Sequence, residues 1–138
     1  MTLSAVVYKN RSLTEAERAT ITRVFPETGE PIIDLDDDSF LFVAHEMWLG
    51  NIMGIGDLRR ELEKSSPSGS QVLQEFVVPS GIRGAVISEP NISRIISEAS
   101  NLLVDERHHL SENLQTFLVE FRELAKIAIK ENNPIVLL

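Results

Sequence analysis

The side chains best suited to chemistry gather in a few short stretches. Asp34-Leu-Asp-Asp-Asp38 offers carboxylates at positions 34, 36 and 38, the spacing with which a hard cation such as Ca²⁺ collects its first oxygen ligands. An EF-hand loop beginning at Asp34 would then need a glycine at 39 and a bidentate glutamate at 45. Ser39 and His45 stand there instead, so the segment reads as an acidic turn or an acidic docking surface. His45-Glu46 and His108-His109 hold all three histidines. Zinc hydrolases need two histidines one helical turn apart with a glutamate between them, and neither pair provides that. Adjacent residues on a helix diverge by roughly 100°, so His108 and His109 would not converge on one ion. The absence of cysteine removes thiolate nucleophiles, cysteine-based zinc sites and disulfides. No metal and no cofactor are expected.

Two further stretches imitate catalytic motifs. Gly50-Asn-Ile-Met-Gly-Ile-Gly56 is spaced like a phosphate-binding loop but lacks the following Gly-Lys-Ser/Thr, and Gly54-Ile-Gly56 lacks the third glycine of a dinucleotide fingerprint. Glycines on a helix instead let another backbone approach closely, at about 1 kcal/mol each relative to alanine. Serines and aspartates are plentiful, so counting does not exclude a Ser-His-Asp triad. No Gly-x-Ser-x-Gly elbow occurs, however, and Ser68-Gly-Ser70 lies in a linker-like run. No catalytic residue is assigned; the enzymatic alternative is a small hydrolase or transferase centred on His45 and Glu46.

Charge is more informative. The formal net charge is −8, and between Val24 and Leu58 there is no lysine or arginine. That window holds Glu27, Glu30, Asp34, Asp36, Asp37, Asp38, Glu46 and Asp57, while the rest of the chain carries thirteen acids and thirteen bases. The excess negative field therefore comes from one quarter of the sequence. It would repel nucleic acid and anionic lipid and attract a basic protein surface, which makes these eight acids the candidate partner-binding residues. An apolar or aromatic anchor would still be needed for affinity. Phe40 or Trp48 could serve if exposed, although for Trp48 alone core burial is the expectation. No apolar run approaches the roughly 20 residues that span a bilayer, and Met1-Thr-Leu-Ser-Ala-Val-Val-Tyr8 lacks the basic and long apolar regions of a secretory signal. A cytoplasmic protein is expected.

The elements that would position these residues follow from periodicity. The 138 residues, 43% of them hydrophobic, suit a single domain over 1–138. The expected class is α+β: a mixed or antiparallel sheet of about four to six short strands packed against three main helices at 44–64, 90–104 and 111–131. Leu3–Lys9 reads as a strand. Ser12-Leu-Thr-Glu15 and Thr14-Glu-Ala-Glu17 both fit capping boxes. A hairpin over about Ala19–Leu35 turns at Pro26-Glu-Thr-Gly29, with helix over 14–24 as the alternative. Ser39–Val43 fits either a strand or the first turn of a helix. Ala44, Trp48, Ile52, Ile55, Leu58 and Leu62 share one helical face. Gln71–Val78 and Ile82–Ser88 read as strands about Pro79-Ser-Gly81. Ile92, Ile95, Ile96, Ala99, Leu102 and Leu103 form the stripe of the next helix. The last helix, capped by Ser111, would bury Leu114, Phe117, Leu118, Phe121, Leu124, Ala125 and Ala128. Asn132-Asn-Pro134 stops it before a short strand at Ile135–Leu138.

Three segments carry a family likeness. Leu3-Ser-Ala-Val-Val-Tyr-Lys-Asn10, Pro26-Glu-Thr-Gly-Glu30 and Leu49-Gly-Asn-Ile-Met-Gly-Ile-Gly-Asp-Leu-Arg-Arg-Glu-Leu62 together resemble small bacterial immunity proteins of polymorphic and contact-dependent toxin systems. The likeness covers roughly the first half of the chain. It implies a cytoplasmic antidote that binds and blocks one cognate toxin domain, often a nuclease with a basic active site, without chemistry of its own. No catalytic motif is transferred by it. A dimeric regulatory or structural module, pairing through the glycine-bearing helix, is the remaining alternative, and a homodimer is left open.

Overall fold

The computed structural model describes residues 2–33, 42–65, 73, 85–105 and 109–138. Its core is a four-stranded antiparallel sheet in the order β4-β1-β6-β5, built from β1 (Thr2–Tyr8), β4 (Val43–Asn51), β5 (Val86–Ile87) and β6 (Ile135–Leu137). A separate hairpin pairs β2 (Ile21–Val24) with β3 (Pro31–Ile33). Among the described residues the α+β fold includes the helices α1 (Glu15–Thr20), α2 (Ile52–Ser65), α3 (Asn91–Asp105) and α4 (Glu112–Glu131).

Alternation along β1 explains why the sheet has two unlike faces. Ala5 and Val7 join Met47, Leu49, Ile87, Ile135 and Leu137 in the main core, beneath α2, α3 and α4. Val6, Tyr8 and Val136 form a small second cluster with Val43 against it. The apolar rhythm of α4 is realised in full: all seven expected inner residues are buried, with Phe117 and Phe121 stacked at 5.5 Å between ring centroids. In α3 the expected stripe is buried except for Ile96, which packs partly buried against it.

The caps follow the chemistry of the sequence. The Thr14 hydroxyl accepts from Glu17 N–H at 3.1 Å while the Glu17 carboxylate accepts from Thr14 N–H at 3.0 Å, the reciprocal capping box. Ser111 accepts from Leu114 N–H, and Asn132 ends α4 in the left-handed region at φ 57°. Residues 14–24 divide between both expectations, being helix to Thr20 and strand from Ile21.

Two expectations need correction. The helix placed at 44–64 begins at Ile52, and Val43–Asn51 is strand β4. Fourfold spacing at 44, 48 and 52 imitated a helical face, but pairing with β1 decides the conformation, as tertiary context commonly does for a segment of mixed propensity. Leu73, inside the strand expected at 71–78, has helical backbone; it is fully buried, and its N–H donates to Glu98 Oε1 at 3.1 Å. The rest of that segment, the Pro79-Ser-Gly81 turn and residues 82–84 lie outside the described residues, as do Asp34–Asp38, residues 39–41 and His108.

Candidate functional site

Among the described residues β4 is an edge strand of the sheet, and it leads directly into α2. The ladder is regular from Val7↔His45 to Ser4↔Trp48, then slips so that Leu3 pairs with Gly50 and Leu49 is the extra residue. Such a bulge breaks the two-residue alternation and redirects neighbouring side chains. Gly50 sits at φ 115°, which an L side chain rarely adopts, and the chain then enters α2.

A cleft of about 470 Å³ opens between the end of β4, the first half of α2 and the start of α4. Strand residues 47–50, Leu58 and Phe117 line it, and Asp57, Glu61 and Glu120 supply carboxylates. Among the described residues that line it there is no lysine, arginine or histidine. Glu61 is structurally committed: Ser111 N–H donates to Oε1 at 2.6 Å and the Ser111 hydroxyl to Oε2 at 2.7 Å. These bonds tie α2 to the N-terminus of α4. Asp57 is ion-paired with exposed Arg60 one turn along the helix. Glu120 is exposed and has no partner among the described residues.

Trp48 is 64% exposed. This corrects the expectation of core burial: Met47 and Leu49 on either side occupy the core in its place. The glycine reading also changes. A Cβ at Gly50 or Gly56 would meet nothing within 4 Å, so close backbone packing does not explain either one. Gly50 answers to its backbone angle, and Gly56 lies in open space.

The candidate partner-binding acids separate into groups. Glu27 is exposed in the β2–β3 turn and Glu30 is half-buried at its end. That turn docks at the Tyr8 end of β1, because Gly29 lies against the Asn133 side chain, whose amide donates to Tyr8 C=O at 2.8 Å. Asp57 follows Asn51, which pairs with Thr2 at the opposite end of the same ladder. Seven residues of strand separate the two ends, roughly 20 Å. Glu46 is exposed between them, opposite Val6. Asp34, Asp36, Asp37 and Asp38, like the alternative anchor Phe40, lie outside the described residues. Asp57 thus lines the cleft beyond the end of β4, Trp48 shares its sheet face with Glu46, and Glu27 and Glu30 lie apart at the other end of the ladder.

Other chemistry finds little geometric support. His45 and Glu46 are consecutive strand residues, so their side chains leave opposite faces of β4. Among the described residues no three His, Asp or Glu side chains are grouped to hold a metal, and no described helix is long and apolar enough to cross a membrane.

Sequence reasoning missed one buried charge, Glu131, which is only 3% exposed. Its Oε1 accepts from Asn10 N–H at 2.8 Å and Ser12 N–H at 3.0 Å, joining the end of α4 to the loop after β1. Burial opposes ionisation, but these donors and nearby Lys130 outweigh it and hold the carboxyl below its ordinary pKa of 4.5. The partners are 121 and 119 residues away, which no local pattern signals. Comparison of the chain with protein-family models, curated proteins and solved structures finds no significant match.

Proposed function

We propose that this chain is an immunity-type protein of the cytoplasm, which binds and neutralises a cognate bacterial toxin domain through an acidic surface. The observation that carries the proposal is the position of the sole tryptophan, exposed on β4 on the same sheet face as the exposed Glu46. Buried aromatic anchors surrounded by polar residues dominate binding energy in protein interfaces, and a large exposed indole contributes little to the stability of the free chain. The negative field supports a basic partner. It would speed encounter and select against acidic surfaces, while Trp48 supplies contact area. Nucleic acid and anionic membrane are poor partners for the same electrostatic reason.

The test is co-expression with the C-terminal domain of a large toxin encoded immediately upstream. The expected outcome is relief of toxicity and a complex that co-purifies at low salt and weakens at high salt. No complex, and toxicity undiminished, would remove the proposal. A complex indifferent both to salt and to Asp36, Asp37 and Asp38 changed to Asn would leave inhibition standing and remove the acidic docking mode. The enzymatic alternative requires turnover that disappears in His45→Ala.

A further inference from the structure

We propose that the outer edge of β4 is a docking strand, to which a basic, extended segment of the partner adds as a further strand centred on Glu46 and Trp48. This deepens the function proposed above and rests on its premise of a basic protein partner. The ladder on the far side of β1 fixes which backbone groups are free. Ser4 and Leu138 exchange both backbone hydrogen bonds, at 3.0 and 2.8 Å, and the same register sets Val6 opposite Val136. Ser4 and Val6 therefore turn their N–H and C=O groups toward β6. Bonded and non-bonded pairs alternate along an antiparallel ladder, so Ser4↔Trp48 and Val6↔Glu46 are non-bonded pairs on the β4 side, and Ala5 and Val7 bond Met47 and His45 instead. The N–H and C=O of Glu46 and Trp48 thus point away from the sheet, where no strand meets them among the described residues.

The same two residues carry exposed side chains on one face of the sheet. An added strand would meet their outward backbone groups while its alternate side chains lie beside Glu46 and Trp48. Exposed edges are commonly guarded by lysine or proline, and β4, Val-Ala-His-Glu-Met-Trp-Leu-Gly-Asn, contains neither. Slips of the ladder at Ala44 and Leu49 bracket the regular stretch His45–Trp48, so the docked segment is short. Its chemistry follows from charge. Glu46 is the acid on this face of β4, and no lysine or arginine occurs between Val24 and Leu58. A basic residue opposite Glu46 pairs with the carboxylate, and one opposite Trp48 lays its apolar stem along the indole. A second copy of the chain suits the edge less well, because it would bring together two molecules of net charge −8 with both Glu46 carboxylates on one ladder.

The experiment uses the full chain and a peptide of alternating threonine and arginine, with two controls N-methylated on the arginines or on the threonines. Amide exchange followed by NMR should first show rapid exchange at Glu46 and Trp48 and protection at His45 and Met47. Adding the parent peptide at low salt should give saturable binding, slow the exchange of Glu46 and Trp48, and change the emission of Trp48, the only tryptophan. An added strand turns one of its two alternate sets of N–H groups toward β4. One methylated control should therefore bind about tenfold more weakly and the other like the parent. Glu46→Gln, at an exposed position, should weaken binding about threefold. The inference is overturned if no saturable binding occurs up to millimolar peptide, if both methylated peptides bind like the parent, or if bound peptide leaves Glu46 and Trp48 exchanging freely. It is equally overturned if these amides are already protected in a dimer of the free chain. Amide exchange in the toxin complex separates the two proposals. A complex in which Glu46 and Trp48 still exchange removes strand addition but keeps the inhibitor, and peptide added at the edge of a chain that forms no toxin complex does the reverse.

Discussion

Removing the Glu131 carboxylate should destabilise the fold in a way that depends on pH. The residue is nearly fully buried at the last turn of α4, where the helix dipole disfavours an anion. Its charge persists because Asn10 and Ser12 donate to it at 2.8 and 3.0 Å. Hydrogen bonds to a charged group contribute about 1.5–3 kcal/mol each; taking the low end for donors that are only partly buried, Glu131→Ala should cost about 3 kcal/mol. For a chain of this size that corresponds to a fall in Tm of about 10 °C. Glu131→Gln keeps a carbonyl acceptor and should cost about half as much. Because the folded pKa lies below the ordinary 4.5, the unfolded chain takes up the proton first as the pH falls. The stabilisation is complete above that ordinary value and is lost as pH falls through the folded pKa. Urea titrations of parent and Glu131→Gln at pH 7 and at intervals down to pH 3 should show the gap closing in acid. A gap that is absent at pH 7, or constant to pH 3, would refute the assignment.

Three further outcomes follow from particular backbone and surface positions. Gly50→Ala should destabilise by about 1–3 kcal/mol through its φ of 115°, whereas Gly56→Ala, in open space on α2, should stabilise by about 0.5–1 kcal/mol; equal effects in chemical denaturation would contradict the strand–helix junction. Gly29→Ala combines φ 74° with a Cβ that would overlap the Asn133 amide, and should cost about 2 kcal/mol, seen as a lower urea midpoint with unchanged slope. Trp48 emission should be readily quenched by acrylamide, and Trp48→Ala should change stability by less than about 1 kcal/mol; protection from the quencher, or a much larger loss, would mean that the indole is buried.

Much of the architecture was legible because it is local. The inner faces of α3 and α4 repeat at three and four residues, and Thr14, Ser111 and Asn132 cap by chemistry confined to a single turn. The parts that were not legible depend on distant residues. Whether Val43–Asn51 is strand or helix is decided by β1, some forty positions earlier. The Glu131 clamp and the contact of Gly29 with Asn133 join opposite ends of the chain. Asp57 and Glu46 stood out in sequence by charge, but Glu120, the cleft's unpaired acid, did not, because it lies on the polar face of an ordinary amphipathic helix.

Strand geometry at Val43–Asn51 is also what exposes the candidate anchor. In one continuous helix, Trp48 and Asp57 would stand roughly 13.5 Å apart along the axis and about 180° apart around it, one facing the core and the other solvent. With β4 ending in a bulge and Gly50 at φ 115°, the chain passes from strand into α2, which puts Asp57 in the cleft beside α4. Strand alternation, already set before the bulge, turns Trp48 to the surface while Met47 and Leu49 take the interior positions. Trp48→Ala is accordingly expected to weaken a toxin complex far more than it changes the stability of the free chain, read by co-purification beside urea denaturation; a complex that ignores the substitution would remove the anchor role.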